Sequence, residues 1–364
     1  MIISRTPFRV SFLGGGTDYP TWYRQHGGAV LATTINKYCY ITVRHLPPFF
    51  EHKFRLVYSK IENCHAVDDI VHPSIRESVR HLGIDRGLEI HHDADLPARC
   101  GMGSSSSFTV GLLHALHALE GRMRSRRELA FEAIHVEQNL MKETVGSQDQ
   151  VSAAHGGLNH VTFEPDGEIV VRPVIMAQDR LIEFSRHLML FYTGIKRTAS
   201  EVAGSYVEDL EKKERQLTEL HGLVDEGLDM LGSGRDLLGF GKLLHEAWQI
   251  KRGLSDKTTN AEIDGIYQAA LGAGAIGGKL AGAGGGGFMT LFVPPDRRRA
   301  VKEALHKLIY VPFTLESSGT QIIFYDREED YAAQEAARET RPRQVFRELT
   351  ELEDGGPSAQ RRSG

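Results

Sequence analysis

The segment that most restricts this chain runs Asp95-Leu96-Pro97-Ala98-Arg99-Cys100-Gly101-Met102-Gly103-Ser104-Ser105-Ser106-Ser107 and passes straight into a helical pattern. Val110, Leu113 and Leu116 carry that pattern, so a helix is expected over Ser104–Leu119. Two glycines let the backbone turn tightly and come close to a ligand. The serines then fall in the first helical turn, where unpaired N–H groups and the positive dipole end favour an anion. Their hydroxyls can also ligate a Mg²⁺ that bridges phosphates. Without a ligand the same residues would make a serine-capped helix after a glycine loop. Four serines and the leading proline favour the phosphate-binding reading. A Walker loop is excluded: its Gly-x-x-x-x-Gly-Lys-Ser/Thr pattern meets Ala273 and Leu280 around Gly278-Lys279.

Two further glycine segments flank this one. Phe8-Arg9-Val10-Ser11-Phe12-Leu13-Gly14-Gly15-Gly16-Thr17-Asp18 reads as a strand entering a glycine shelf that ends in a carboxylate. Such a carboxylate suits paired sugar hydroxyls, because it accepts two hydrogen bonds at once. Arg9 would aim a fork of donors at a phosphate. A plain glycine turn stabilised by Asp18 is the alternative. The other segment, Gly277-Gly278-Lys279-Leu280-Ala281-Gly282-Ala283-Gly284-Gly285-Gly286-Gly287, contains a formal Gly-x-Gly-x-x-Gly. A dinucleotide fingerprint must follow a strand and open a helix, and here the order is reversed. Close approach of backbone to a ligand or neighbouring loop explains so dense a glycine run better.

With 364 residues the chain exceeds what one core usually organises, and two lobes are expected. A formal net charge of −5 offers no basic field for nucleic acid or an anionic membrane, so any phosphate must be held locally. The amino terminus lacks the pattern of a secretory leader, and no apolar run reaches the ~18–20 residues of a membrane span. Cys39, Cys64 and Cys100 are an odd, scattered set that fits a reduced, cytoplasmic setting. A homodimer is compatible with the sequence, though no feature argues for one.

Strands are expected over Ile2–Phe12, Ala29–Arg44, Phe54–Tyr58 and Leu88–His91, and a hairpin over Leu158–Val174. Helices are expected over Ser74–Leu82 and Arg126–Met141, then Ala199–Leu231, Leu237–Arg252, Ala261–Ala273 and Arg297–Ile309. Strands His187–Tyr192, Phe288–Val293 and Thr320–Tyr325 complete the reading. Strands and helices mix without regular alternation, so the class is α+β. The lobes divide at 1–183 and 184–326, and 327–364 reads as a charged, partly disordered tail.

Together, these three glycine segments in this order resemble the GHMP kinases, the superfamily of galactokinase, homoserine kinase, mevalonate kinase and phosphomevalonate kinase. The hallmark Pro-x-x-x-Gly-Leu-Gly-Ser-Ser loop is similar to Pro97–Ser105, with Met102 in place of leucine. The resemblance spans roughly residues 1–326. It implies a lobe like domain 2 of a small-subunit ribosomal protein, a ferredoxin-like second lobe, and ATP and acceptor in the cleft between. Gly101 to Ser107 would then bind ATP, and Ser104, Ser105 and Glu137 would hold Mg²⁺. Asp149 would face the acceptor hydroxyl, with Arg9 neutralising the transferring group. Gly15, Gly16, Thr17, Asp18, Gln150, Gly282, Ala283, Gly284 and Gly285 would line the substrate site.

Within the superfamily, Arg5 to Pro20 and Val145-Gly146-Ser147-Gln148-Asp149-Gln150 resemble D-glycero-D-manno-heptose 7-phosphate kinases. Those enzymes phosphorylate the anomeric hydroxyl, giving a 1,7-bisphosphate used for nucleotide-activated heptose and surface polysaccharide. A sugar 7-phosphate needs a distant cationic clamp, for which Lys196-Arg197 and Lys251-Arg252 are candidates. Fucokinase-type domains share much of the pattern. Another sugar acceptor, or a sensor that binds ATP and sugar without transfer, would leave the same motifs.

Overall fold

The computed structural model describes residues 1–98, 100–195, 213–326 and 331–339. Among these, two sheets organise the chain, one of nine strands and one of four. The larger sheet is built on two long neighbours, β1 (Ile2–Leu13) and β2 (Gly28–His45), which pair antiparallel along most of their length. β2 is rich in Val, Ile, Thr and Tyr, the side chains that pack best on a pleated surface. Its first eight residues are buried on both faces, whereas from Tyr38 to His45 burial alternates as in a strand with one covered face.

β3 (Phe54–Val57), β4 (Ile61–Cys64) and β5 (Leu88–Ala94) extend this sheet on one side, in the order β1-β2-β5-β3-β4. The hairpin of β6 (Leu158–Phe163) and β7 (Ile169–Pro173) joins through β6 to the start of β2. Helices α1 (Pro20–His26) and α2 (Pro73–Leu82) accompany these strands, and α3 (Ser104–Leu119) lies across β1 and β2. Apart from its first two residues, α3 is buried over most of its length, as its apolar sequence demands.

The helix expected to run to Met141 changes pitch part-way. α4 (Arg126–Ile134) is capped by Ser125, whose hydroxyl accepts from Glu128 N at 3.2 Å while Glu128 Oε2 accepts from Ser125 N at 2.8 Å. From His135 to Leu140 the chain is a π-helix, a form found mostly at functional positions. α5 (Gln148–His155) follows.

An unexpected helix, α6 (Gln178–His187), feeds β8 (Leu188–Tyr192), the first strand of the smaller sheet. That sheet runs β11-β8-β10-β9, all antiparallel, from β9 (Gly277–Leu280), β10 (Phe288–Phe292) and β11 (Ile309–Val311). α7 (Glu214–Gly232), α8 (Leu238–Arg252), α9 (Ala261–Gly272) and α10 (Arg298–Ala304) complete this lobe. The first part of the helix expected from Ala199 lies outside the described residues.

The chain then returns to the first sheet. β12 (Leu315–Glu316) pairs with β2 and β13 (Gln321–Tyr325) with β1, so the closing strands belong to the large sheet although sequence order placed them in the second lobe. α11 (Ala332–Glu339) reaches back to the loop before β5, where Gly87 N donates to Glu335 Oε1 at 2.8 Å. The lobes share a core: Phe12 of β1 meets Phe184 of α6 and Phe240 of α8 edge-on, with centroids 5.5 and 5.7 Å away. Among the described residues no helix is long and apolar enough to cross a membrane.

Candidate active site

The phosphate-loop candidate takes the shape its glycines allow. Gly101 and Gly103 have φ of 79° and 73°, the left-handed region in which side chains other than glycine are strained. Gly103 ends the loop as the residue before α3, so the first N–H groups of that helix open onto Ser104 and Ser105. Ser105 is exposed and Ser104 partly buried. Ser107, by contrast, is buried and donates to Pro7 O at 2.9 Å, a bond that fastens α3 to β1.

β1 carries Arg9 under this loop, and α5 carries Asp149 towards it. Arg9 Nε donates to Asp149 Oδ1 and Nη2 to Oδ2, both at 2.7 Å, while Nη1 donates to Gly101 O at 2.6 Å. The Arg9 side chain is 4% exposed and that of Asp149 25%. Arg9 was expected to meet a transferring phosphate; the structure instead spends its fork on fixing Asp149 and the loop. A Cβ built on Gly103 would stand 3.4 Å from Asp149 Oδ2, so the carboxylate lies at the loop itself.

Glu137, on the π-helical turn, is buried to 1% exposure behind the same loop. Its Oε2 accepts from Ser106 Oγ at 2.9 Å and from Gln150 Nε2 at 2.5 Å. Burial pushes its carboxyl up to about 7; the nearby Thr109 and Ser106 hydroxyls and the Gln150 amide oppose this, and the charge of Asp149 adds to it. Its other oxygen, Oε1, is buried without a hydrogen-bond partner. A buried carboxylate oxygen left open beside a phosphate loop fits a Mg²⁺ ligand, since Mg²⁺ takes few protein oxygens and relies on phosphates for the rest. The hydroxyl that reaches Glu137 is that of Ser106, however, not of Ser104 or Ser105. Gln150 likewise supports Glu137 rather than lining a substrate surface.

The glycine shelf differs from expectation in a similar way. Asp18 is not exposed on it: the side chain is buried, accepting from Gly16 N at 3.0 Å and Gln148 N at 3.3 Å. Burial raises its pKa, the nearby Asp149 charge adds to this, and the backbone donors oppose it. Thr17 is buried too, its hydroxyl lying 2.8 Å from Gly14 O and 2.9 Å from Ala29 O, either of which can accept its proton. Asp18 therefore holds the shelf against Gln148, next to Asp149. Gly15 and Gly16 form the shelf proper.

From the smaller lobe, the second glycine loop packs backbone to backbone on the first. A Cβ on Gly282 would meet Gly101 Cα at 2.7 Å, and one on Gly287 would meet Cys100 O at 2.1 Å. Gly284 presses on Thr258, and Gly285 N donates to Thr258 O at 2.8 Å. Ala283 is partly buried between them. These residues shape the phosphate loop from behind.

Two lysines come in with this loop: Lys251, named above as a candidate clamp, and Lys279 of the glycine segment itself. Lys251 Nζ donates to Gly282 O, and Lys279 Nζ donates to Phe12 O at 3.0 Å. Both are buried, and burial lowers both ammonium groups, Lys251 to about 8 and Lys279 well below its ordinary value. Arg9 also lowers Lys251, whereas Asp18 and Asp149 raise it. Lys251 thus sits at the reaction centre, and its neighbour Arg252 is paired with Asp264 at 2.8 Å, so this pair is no exposed clamp. Lys196 and Arg197 lie outside the described residues.

Two family models match the chain: "GHMP kinases N terminal domain" over residues 69–157 and "GHMP kinases C terminal" over 227–311, one on each side of this site. The chain belongs to the GHMP kinases. It is 26% identical over 317 residues to the D-glycero-alpha-D-manno-heptose 7-phosphate kinase of Campylobacter jejuni, covering 84% of this chain and 93% of that one. It is also 25% identical over 339 residues to the bifunctional fucokinase/GDP-fucose pyrophosphorylase of Arabidopsis thaliana, of which it spans 30%. Among solved structures, a D-glycero-D-manno-heptose 1-phosphate kinase from Bacteroides thetaiotaomicron superposes with a TM-score of 0.73 at 22% identity, over 90% of this chain and all of that one. As a GHMP kinase the protein is an ATP-dependent phosphotransferase, and its two-lobed α+β fold is the family's.

Proposed function

We propose that this GHMP kinase transfers the γ-phosphoryl group of ATP to the anomeric hydroxyl of D-glycero-D-manno-heptose 7-phosphate. The observation that carries the catalytic part is Asp149: its two oxygens are fixed by Arg9 at the phosphate loop, yet a quarter of the side chain remains open. Held there, Asp149 receives the proton of the acceptor hydroxyl as that oxygen bonds to the γ-phosphorus. The bond from the γ-phosphorus to the bridging oxygen breaks, and ADP leaves with the electron pair. Phosphoryl transfer depends mostly on positioning and electrostatics. Here the amides of Gly101–Ser107 orient the phosphates, and Arg9 is a positioning residue that sets the base and the loop together.

Glu137, held by Ser106, would hold Mg²⁺, with Ser104 and Ser105 at the start of α3 as further candidate ligands. When bound, the ion neutralises charge on the phosphate oxygens. The acceptor rests on the 26% identity to the Campylobacter jejuni kinase across 93% of its length. The product would feed synthesis of nucleotide-activated heptose in the cytoplasm, where ATP is supplied.

The test is ADP release with MgATP and a panel of heptose 7-phosphate, heptose, fucose, galactose and mevalonate. Turnover confined to the sugar phosphate is expected. Preference for an unphosphorylated sugar would overturn the acceptor, and binding of ATP and sugar with no turnover would overturn the kinase mechanism.

A further inference from the structure

One buried ammonium at the lobe junction makes fewer hydrogen bonds than it can. Arg9 and Asp149 neutralise each other, and Asp18 is satisfied by backbone N–H groups. Lys279, 4% exposed, has no carboxylate within ion-pair distance among the described residues, and its single hydrogen bond goes to the carbonyl of Phe12. An ammonium can donate three hydrogen bonds, so two are unused. Burying such a charge is expensive unless something pairs with it.

The surroundings of that ammonium are unsatisfied as well. A methyl group placed on Gly15 would stand 3.6 Å from Ser11 Oγ, 3.7 Å from Gln148 Nε2 and 4.0 Å from Lys279 Nζ. Three polar groups, from β1, α5 and β9, therefore converge on the one side of the shelf that lacks a side chain. Ser11 is 8% exposed and its hydroxyl has no hydrogen-bond partner; Gln148 Oε1 is also buried without one. Gly15 has an ordinary φ, so space rather than backbone strain is what its missing side chain supplies.

We propose that this cluster of Lys279, Ser11 and Gln148 over Gly15 receives the phosphate group that the acceptor already carries. The assignment rests on a phosphorylated sugar being the acceptor. A phosphate brings the negative charge that Lys279 lacks and oxygens that accept from the lysine, the hydroxyl and the amide together. The cluster would make a phosphorylated acceptor the preferred one and an unphosphorylated sugar a poor one.

The test is calorimetric titration of enzyme saturated with MgAMPPNP, using heptose 7-phosphate and heptose as ligands, for the wild type, Lys279→Met and Ser11→Ala. The wild type should bind the sugar phosphate much more tightly than the sugar. Lys279→Met should cut that preference by at least about tenfold and Ser11→Ala by about three- to tenfold, the ratios expected for losing a charged and a neutral hydrogen bond. Affinity for MgAMPPNP should stay within about twofold. Lys279→Met should melt no lower than the wild type, because it removes a buried polar group that makes one hydrogen bond. A wild type with no preference for the phosphate would sink the acceptor assignment and this inference together. A wild-type preference that both variants keep would overturn this inference alone, and a lower melting temperature beside it would mark Lys279 as a tether for Phe12. Loss of MgAMPPNP affinity instead would give the ammonium to ATP.

Discussion

Asp149 can serve a kinase because Arg9, 140 positions earlier, holds both of its oxygens. A planar fork does this and a point charge does not, so Arg9→Lys keeps the sign of the charge and loses the geometry. A fall in kcat of up to about 10²-fold is expected, with a much smaller change in nucleotide affinity. Glu137 gives a pH-dependent expectation. Its folded value lies near 7 against an ordinary 4.5, so its contribution to stability is fully present below about 4.5 and lost as pH rises to about 7. Metal-free wild type should therefore lose melting temperature between pH 5 and 8 more steeply than Glu137→Gln; parallel curves would contradict this burial. The residue types of this site could be read in the sequence, but their partners could not. Successive serines on a helix point about 100° apart, so only the phase of α3 decides that Ser106, and not Ser104 or Ser105, meets Glu137.

At the scale of elements, the two glycine loops act as one object. Gly282→Ala forces a Cβ to within 2.7 Å of Gly101 Cα at a φ of +65°, so it should weaken MgATP binding by displacing the phosphate loop. Gly234→Ala, with nothing within 4 Å, should leave binding unchanged. Ser125→Ala should cost about 1 kcal/mol in chemical denaturation through the lost α4 cap. Long amphipathic helices and β-branched strands were legible because each pattern reports its own buried face. Several features, α1, α5, β4 and β9 among them, were not, and three others show why. α6 is ten residues long with only Phe184 and His187 buried, too weak a stripe to register. The π-helical turn at 135–140 continues the preceding helix in composition, and only the hydrogen bonding differs. β13 was legible as a strand and the two-residue β12 was not, and their pairing with β1 and β2 is set by tertiary contact rather than by sequence order.

The whole molecule is two lobes locked by a common aromatic core and a returning chain. Phe240 stands at the centre of that core, 5.1 Å from Phe184, 5.7 Å from Phe12 and 5.9 Å from Phe292 between ring centroids. Phe240→Ala should cost about 3–5 kcal/mol and lower a single calorimetric transition. Two separate transitions would show lobes that fold independently. The locked arrangement matters because base, phosphate loop and acceptor shelf come from different elements: β1 and α5 supply the charged pair, α3 the phosphate site, and β9 its buried lysine. A site assembled this way is specified by the fold, which is why three sequence segments located it while its hydrogen bonds stayed hidden. Its central feature, Asp149 as the base beside the phosphate loop, is tested most directly by Asp149→Asn. With the wild type's best acceptor, kcat should fall by roughly 10²- to 10⁴-fold while the Kd for MgATP changes by no more than a few-fold. Retained turnover, or an equal loss of turnover and nucleotide binding, would contradict the assignment.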